Sequence, residues 1–235
     1  MRLSRLALIF VGSALALGGC RASADDDAAF GARVRAYLLA HPEVLQETMV
    51  RLQQKQDAAA IDLNRQALER DPRDFVANPA GKVTVTEFYD YRCPHCISVA
   101  PAVLGLIRDD PNIRFVFKEM PIFGDLSDRA AAGAIAVKAA GGDNLGYYKS
   151  VMETRPLDDA ALDRILKTYG VDPKKLAQPE VKAAAEDQLA SVHNLAIALG
   201  VEGTPAFVVG DTLIPGEKLD DLRAAIAQAK KKAGL

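Results

Sequence analysis

The sequence predicts an α/β fold: a small mixed sheet carrying helices, a helical block inserted into it, and a separate helical extension in front. Three observations predict this. Runs rich in β-branched and aromatic residues, Lys82–Asp90, Asn112–Lys118 and Gly203–Val209, have the length of strands and are bounded by turn formers. An Ala-rich helical stretch over about residues 125–200 separates the second run from the third. Ahead of residue 70, apolar residues recur at helical spacing.

Composition narrows the function classes. The chain has 235 residues, 49% of them hydrophobic and 26% charged, which suits one or two globular domains and argues against disorder. Past the N-terminus no stretch of 18 uncharged apolar residues occurs, so a multi-span membrane protein is excluded. With 29 Lys and Arg against 31 Asp and Glu there is no polybasic footprint, and no nucleic-acid partner is expected. Three cysteines and three histidines are too few for a disulfide-stapled scaffold or a multi-zinc protein.

The first 24 residues read as a signal peptide. Arg2 and Arg5 precede the uncharged run Leu6–Leu17, which is too short to span a bilayer comfortably. Ala22-Ser23-Ala24 fits a small-x-small cleavage site, releasing a soluble protein that begins at Asp25. Leu17-Gly18-Gly19-Cys20 fits a lipobox instead, which would leave Cys20 acylated as a lipoprotein anchor. The expected compartment is the periplasm. Removing three arginines and no acid leaves 26 basic residues against 31 acidic ones. The remaining thiols, Cys93 and Cys96, then sit three apart in an oxidising compartment.

Residues 25–70 read as a helical segment distinct from residues 71–235. Phe30, Val34, Tyr37 and Leu38 lie on one helix; His41-Pro42 ends it and starts a second. Along the second, Leu45, Met49, Leu52, Gln56, Ala59 and Leu63 follow steps of 4, 3, 4, 3 and 4, an a/d seam with one polar layer. Such a thin stripe cannot bury itself. It needs either the rest of the chain or another copy, and a homo-oligomer through this segment is the expectation.

From Asp71-Pro72 to Asn78-Pro79 runs a breaker-rich linker with a short strand at Phe75–Ala77. Strand Lys82–Asp90, helix Ile97–Arg108 (with Pro101 expected to kink it) and strand Asn112–Lys118 make a βαβ unit, right-handed by the crossover rule. Helices are expected near 127–140, 144–154, 158–169 and 179–199. Gly210-Asp211 is a two-residue hairpin turn between Gly203–Val209 and Thr212–Ile214. The final helix, Glu217–Lys232, carries its basic residues at the C-terminal end, as the helix dipole prefers.

Cys93-Pro94-His95-Cys96 follows a strand and opens a helix, the setting a redox C-x-x-C requires. At a helix N-terminus, free N–H groups and the positive dipole end stabilise a Cys93 thiolate. Pro94 suits the first turn. His95 can add positive charge or a donor beside Cys93. Cys96, one turn on, is the more buried resolving thiol. Other chemistries use the same residues. A structural disulfide would close a loop too short to gain much entropy. Cu(I) could take Cys93 and Cys96, with His95 as a third ligand, whereas zinc would need a fourth from elsewhere. His41 and His193 read as surface or cap residues.

Glu87-Phe-Tyr-Asp-Tyr-Arg-Cys-Pro-His-Cys96, a helical insert and Gly203-Thr-Pro205 together resemble the DsbA family of the thioredoxin superfamily, over roughly residues 74–235. Val34-Arg-Ala-Tyr-Leu-Leu-Ala-His-Pro-Glu-Val-Leu45 resembles the extension of the suppressor-of-copper-sensitivity protein C branch, several of whose members self-associate through it. The resemblance implies a thioredoxin fold with an inserted helical domain. It implies a thiol:disulfide oxidoreductase that needs no cofactor and forms or isomerises disulfides in exported proteins. The alternative is a copper(I)-binding protein or copper-thiol chaperone of the cell envelope. The resemblance also makes Glu87 a buried acid that moves the proton of Cys96, and Pro205 a cis-proline against the sulfurs. Thr204 would pair its backbone with an extended substrate. Strong oxidases of the family often carry Val where Thr204 stands, so the resemblance leans toward an isomerase. A membrane partner of DsbD or DsbB type is implied in turn.

Overall fold

A computed structural model describes residues 24–235. Residues 1–23 of the expected leader, Cys20 among them, lie outside the described residues. Among the described residues no helix is long and apolar enough to cross a membrane.

The chain divides into two compact units, one ending at Met49 and the other running Val50–Leu235. In the first, α1 (Ala24–Ala40) ends where His41 N–H donates to Tyr37 O at 2.8 Å. The His41 ring lies against Tyr37, centroids 4.5 Å apart, and its Nδ1 is 3.1 Å from Glu43 Oε1. His41 is an exposed residue between the two helices. α2 follows over Glu43–Glu69.

The second unit is a five-stranded sheet in the order β1-β3-β2-β4-β5, from β1 (Phe75–Ala77), β2 (Val83–Tyr89), β3 (Ile113–Glu119), β4 (Ala206–Val209) and β5 (Thr212–Pro215). β2 pairs parallel with β3, joined by α3 (Pro94–Asp109); the other pairings are antiparallel. α3 contains Pro101 within its span. The insert holds α4 (Asp125–Ala139), α5 (Asn144–Glu153), α6 (Asp159–Thr168) and α7 (Pro179–Ala198). Asp143 and Asp158 cap α5 and α6 by accepting from Gly146 and Ala161 N–H at 2.8 and 2.7 Å. A 3₁₀ turn at Pro173–Ala177, capped by Asp172, was not anticipated. α8 (Leu219–Lys232) closes the chain.

Alternation along β2 builds two cores. Val85 and Tyr89 face α3, α8 and the insert, packing with Val103, Tyr148, Phe207 and Ile226. Phe88 points the other way and packs with Val192 and Leu195 of α7, with Leu199 just after it, and with Ile61 and Leu68 of α2. Ile61 and Leu68 are 1% and 0% exposed. The helices run to Glu69, and the compact units divide inside α2, whose second half completes this lower core.

A buried ion pair pins the same region. Lys118 Nζ lies 2.5 Å from Asp74 Oδ2 and donates to Ala67 O at 2.6 Å, so one ammonium ties the end of α2 to the lead-in of β1. Desolvation pushes the Asp74 carboxyl up to about 6, against the pull of Lys118. Leu68→Ala should remove a side chain with no exposed surface and destabilise the protein by about 2–5 kcal/mol in urea unfolding. A loss below about 1 kcal/mol would mean that α2 does not belong to the core.

Candidate active site

β2 leads directly into the site. After Tyr89 the chain turns through Asp90-Tyr91-Arg92 and starts α3 with Cys93 at the N-cap (φ −65°, ψ 120°) and Pro94 in the first turn. Asp90 organises this turn. Its carboxylate accepts from Arg92 N–H at 2.6 Å, Ser127 Oγ–H at 2.9 Å, Ile122 N–H at 2.6 Å and Phe123 N–H at 3.1 Å. Its own carbonyl accepts from Cys93 N–H at 3.2 Å. One buried carboxylate thereby fixes the strand-to-helix corner against the loop before α4. The sequence signal for Asp90 was weak, an acid three residues before the first cysteine with no partner in local sequence.

Both cysteines are buried free thiols, Cys93 at 2% and Cys96 at 0% exposure. Cys93 Sγ–H donates to Thr204 O at 3.1 Å, across 111 residues of sequence. Burial pushes the Cys96 thiol well up, and the nearby Glu87 charge adds to this. Glu87 lies on the α3 face of β2, level with Phe117 on one neighbouring strand and Phe207 on the other. It is fully buried; Tyr148 Oη–H donates to Oε2 at 3.5 Å and Oε1 has no hydrogen-bond partner. Burial raises its pKa to about 8, with the Tyr148 contact opposing. An acid poised near neutral pH therefore stands beneath a thiol that resists ionisation, an arrangement suited to passing a proton between them.

The Thr204–Pro205 peptide is cis, as is Arg155–Pro156 in the insert. Pro205 is buried, and its carbonyl accepts from Gly216 N–H at 2.8 Å. Gly216 has φ +76°, a conformation that L side chains rarely adopt, and this lets the chain leaving β5 turn back under the proline loop. Thr204 Oγ1 is directed toward Cys96 without completing a hydrogen bond.

Thus Cys93, Cys96, Glu87, Thr204 and Pro205 converge, and Pro94 opens the helix between them. His95 differs. It is exposed, and its Nδ1 lies 3.0 Å from Glu217 Oε1, in the turn before α8. Glu217 was not singled out in the sequence, since nothing local links it to residue 95. Among the described residues, no group of three or more His, Cys, Asp or Glu side chains is arranged to hold a metal ion. His193 is exposed on α7.

Glu87 has a folded-state pKa above its unfolded value of about 4.3. Between about pH 4 and pH 8 the folded chain keeps a proton the unfolded chain has lost, so stability falls as pH rises through that window. Glu87→Gln should remove this share. Urea unfolding of the reduced protein at about pH 9 should find the variant more stable by a few kcal/mol, at roughly 1.4 kcal/mol per pKa unit. The gain should fade below about pH 4. Identical pH profiles for the two proteins would contradict a buried, raised Glu87.

Comparison with known proteins agrees with this geometry. The family model described as the DSBA-like thioredoxin domain matches residues 84–227, and that of the copper resistance protein ScsC N-terminal domain matches residues 26–59. A linker-deletion mutant of Proteus mirabilis ScsC is similar in structure, with a TM-score of 0.70 at 25% identity over 89% of this chain and 97% of that one. The thiol:disulfide interchange protein DsbA of Bordetella pertussis is 27% identical over 135 residues, covering 55% of this chain and 64% of that protein. The Na(+)/H(+) antiporter NhaA 1 of Salinispora arenicola is 30% identical over 168 residues, 68% of this chain. This chain spans 25% of the antiporter's length, so the likeness concerns one segment of that protein. The match over residues 84–227 takes in β2, the C-x-x-C helix, the insert and the proline loop together. On that footing the chain belongs to the DSBA-like thioredoxin domain family, a family of thiol:disulfide oxidoreductases.

Proposed function

We propose that the protein is a periplasmic thiol:disulfide interchange protein acting on exported proteins that contain cysteines, with Cys93 as the exchanging sulfur and Cys96 as the resolving one. The observation that carries this reading is the contact of Cys93 Sγ with the Thr204 carbonyl, at the start of α3 and beside Pro205. A sulfur held there meets the positive end of a helix and a backbone edge on which an extended client can lie. As an isomerase, the Cys93 thiolate attacks a client disulfide. The client S–S bond breaks, one client thiolate leaves, and a Cys93–client mixed disulfide forms. A second client thiolate then displaces Cys93, with no net oxidation. If the mixed disulfide stalls, Cys96 attacks Cys93 instead and frees the reduced client. Glu87 accepts the Cys96 proton in that step. Pro94 keeps the helix start free of a surplus N–H, and Glu217 orients His95 at the rim.

Isomerase-type action is favoured by self-association, which would set several such sites around one client. On α2, Leu45, Met49, Leu52 and Leu63 are 50%, 71%, 55% and 87% exposed, whereas Ile61 and Leu68 are buried. The residues of the a/d seam are thus separate from those that complete the core. A second copy is the occupant that matches a heptad spacing. The Thr at position 204 and a DsbD-type membrane reductant fit the same reading. The leader supports export, with release after Ala24 or anchoring through Cys20.

Cys93→Ser should abolish catalysed refolding of scrambled ribonuclease, and Cys96→Ser should accumulate client mixed disulfides visible on non-reducing gels. Activity surviving in the Cys93 variant would refute the role given to that sulfur. Leu52→Glu with Leu63→Glu should lower the mass seen by analytical ultracentrifugation to that of a single chain. These substitutions are preferable to deleting residues 25–70, which would strip Ile61 and Leu68 from the core. A single-chain mass for the unmodified protein would end the oligomer reading.

A further inference from the structure

The second half of α2 reaches the proline loop. Gln53 and Asp57 line a cleft of about 360 Å³ together with Glu202, Thr204, Pro205 and Gly216. Ligand sites are commonly about 300–1,000 Å³ in volume. The wall is anchored rather than loosely apposed. Ile61 and Leu68 are buried in the lower core. Arg65 Nη2 donates to Asp211 Oδ1 at 2.7 Å and Nη1 to Gly210 O at 3.4 Å, fixing α2 to the β4–β5 turn. The cleft is continuous with the reacting centre, because Thr204, which lines it, is the residue whose carbonyl accepts from Cys93 Sγ–H.

The lining has one sign of charge. Asp57 and Glu202 are its charged side chains, both are carboxylates, and no Lys or Arg faces them from the lining. Gln53 Nε2–H donates to Asp57 Oδ1 at 2.7 Å, which orients that carboxylate from the preceding helical turn. We propose that this cleft is a client-specificity subsite, in which Asp57 and Glu202 favour a lysine or arginine close in sequence to the client cysteine. The inference rests on the thiol-exchange reading above and adds the chemistry of the client. A segment lying along Thr204–Pro205 carries its flanking residues past α2, where a cation meets two acids and an anion is repelled. At such solvated carboxylates the effect is one of selection and association rate rather than of tight binding.

The test uses the oxidised full-length protein and two reduced peptides that differ by Arg or Glu two residues before their single cysteine. In each reaction the peptide thiolate attacks the Cys93 sulfur, the Cys93–Cys96 bond breaks, and Cys96 leaves as a thiolate. Stopped-flow rate constants give an Arg-to-Glu ratio for each protein. A flanking Arg also lowers the peptide thiol's own pKa, so the decisive quantity is the ratio in the unmodified protein divided by that in the D57N/E202Q variant. That quotient should be about fivefold at low salt, the scale of one or two exposed charge pairs, and should shrink toward one as ionic strength rises. Asp62→Asn, on the same helix but outside the cleft lining, should keep the unmodified ratio. A quotient of one with exchange proceeding in both proteins would overturn the subsite alone. No exchange with either peptide would overturn the oxidoreductase reading and this inference with it.

Discussion

The site depends on the register between β2 and β4. Phe88 pairs with Ala206, so Pro205 and Thr204 arrive where the chain leaves β2 for the Cys93 corner. From that one antiparallel pairing follow the Cys93–Thr204 contact and the position of Glu87 between Phe117 and Phe207. A slip of one residue would turn Glu87 to the α7 face and leave the proline loop short of the sulfur. The hairpin turn at Gly210-Asp211 and the α2 anchor at Arg65 both act on β4, and so hold the register from the far end.

The α3 face of the sheet carries a polar load that an ordinary core would not. Glu87 and Glu119 are fully buried carboxyls, raised to about 8 and about 7 chiefly by loss of water. Tyrosines surround them. Tyr148 donates to Glu87, while Tyr89 donates to Glu119 at 3.1 Å and lies 3.1 Å from the Tyr91 hydroxyl. Neutral phenols partly satisfy the carboxyls without supplying a countercharge, so loss of water carries both up toward neutral pH, where they can hold or release a proton. Asp74 is treated differently, since Lys118 opposes its shift. The same strand pair, β2 and β3, thus holds one acid beside the Cys96 thiol and another in a network of tyrosine hydroxyls. Unpaired carboxyl oxygens on Glu87 and Glu119 are a stability cost concentrated under the reacting thiols.

α2 joins three tasks through helical periodicity. Ile61 and Leu68, seven residues apart, return to one face and complete the lower core. Gln53 and Asp57, four apart, continue that same stripe toward the start of the helix and wall the cleft beside Thr204. Leu52 and Leu63 remain exposed. A helix committed to the core on one side can present its other faces in fixed positions, which a mobile arm cannot.

The sequence by itself determined whatever depends on near neighbours. Helix and strand periods placed the elements in order, and Cys93-Pro94-His95-Cys96 could be assigned to a helix start. Gly210-Asp211 could be read as the hairpin turn. The 3₁₀ turn at Pro173–Ala177 escaped because five residues carry too short a pattern. Tertiary structure alone decided the rest. The four donors on Asp90, the approach of Glu217 to His95, the division of the chain inside α2, and the cleft shared by Asp57 and Glu202 all join residues far apart in the chain. No local pattern marks such meetings, because they are set by which strands pair and which helix faces are buried.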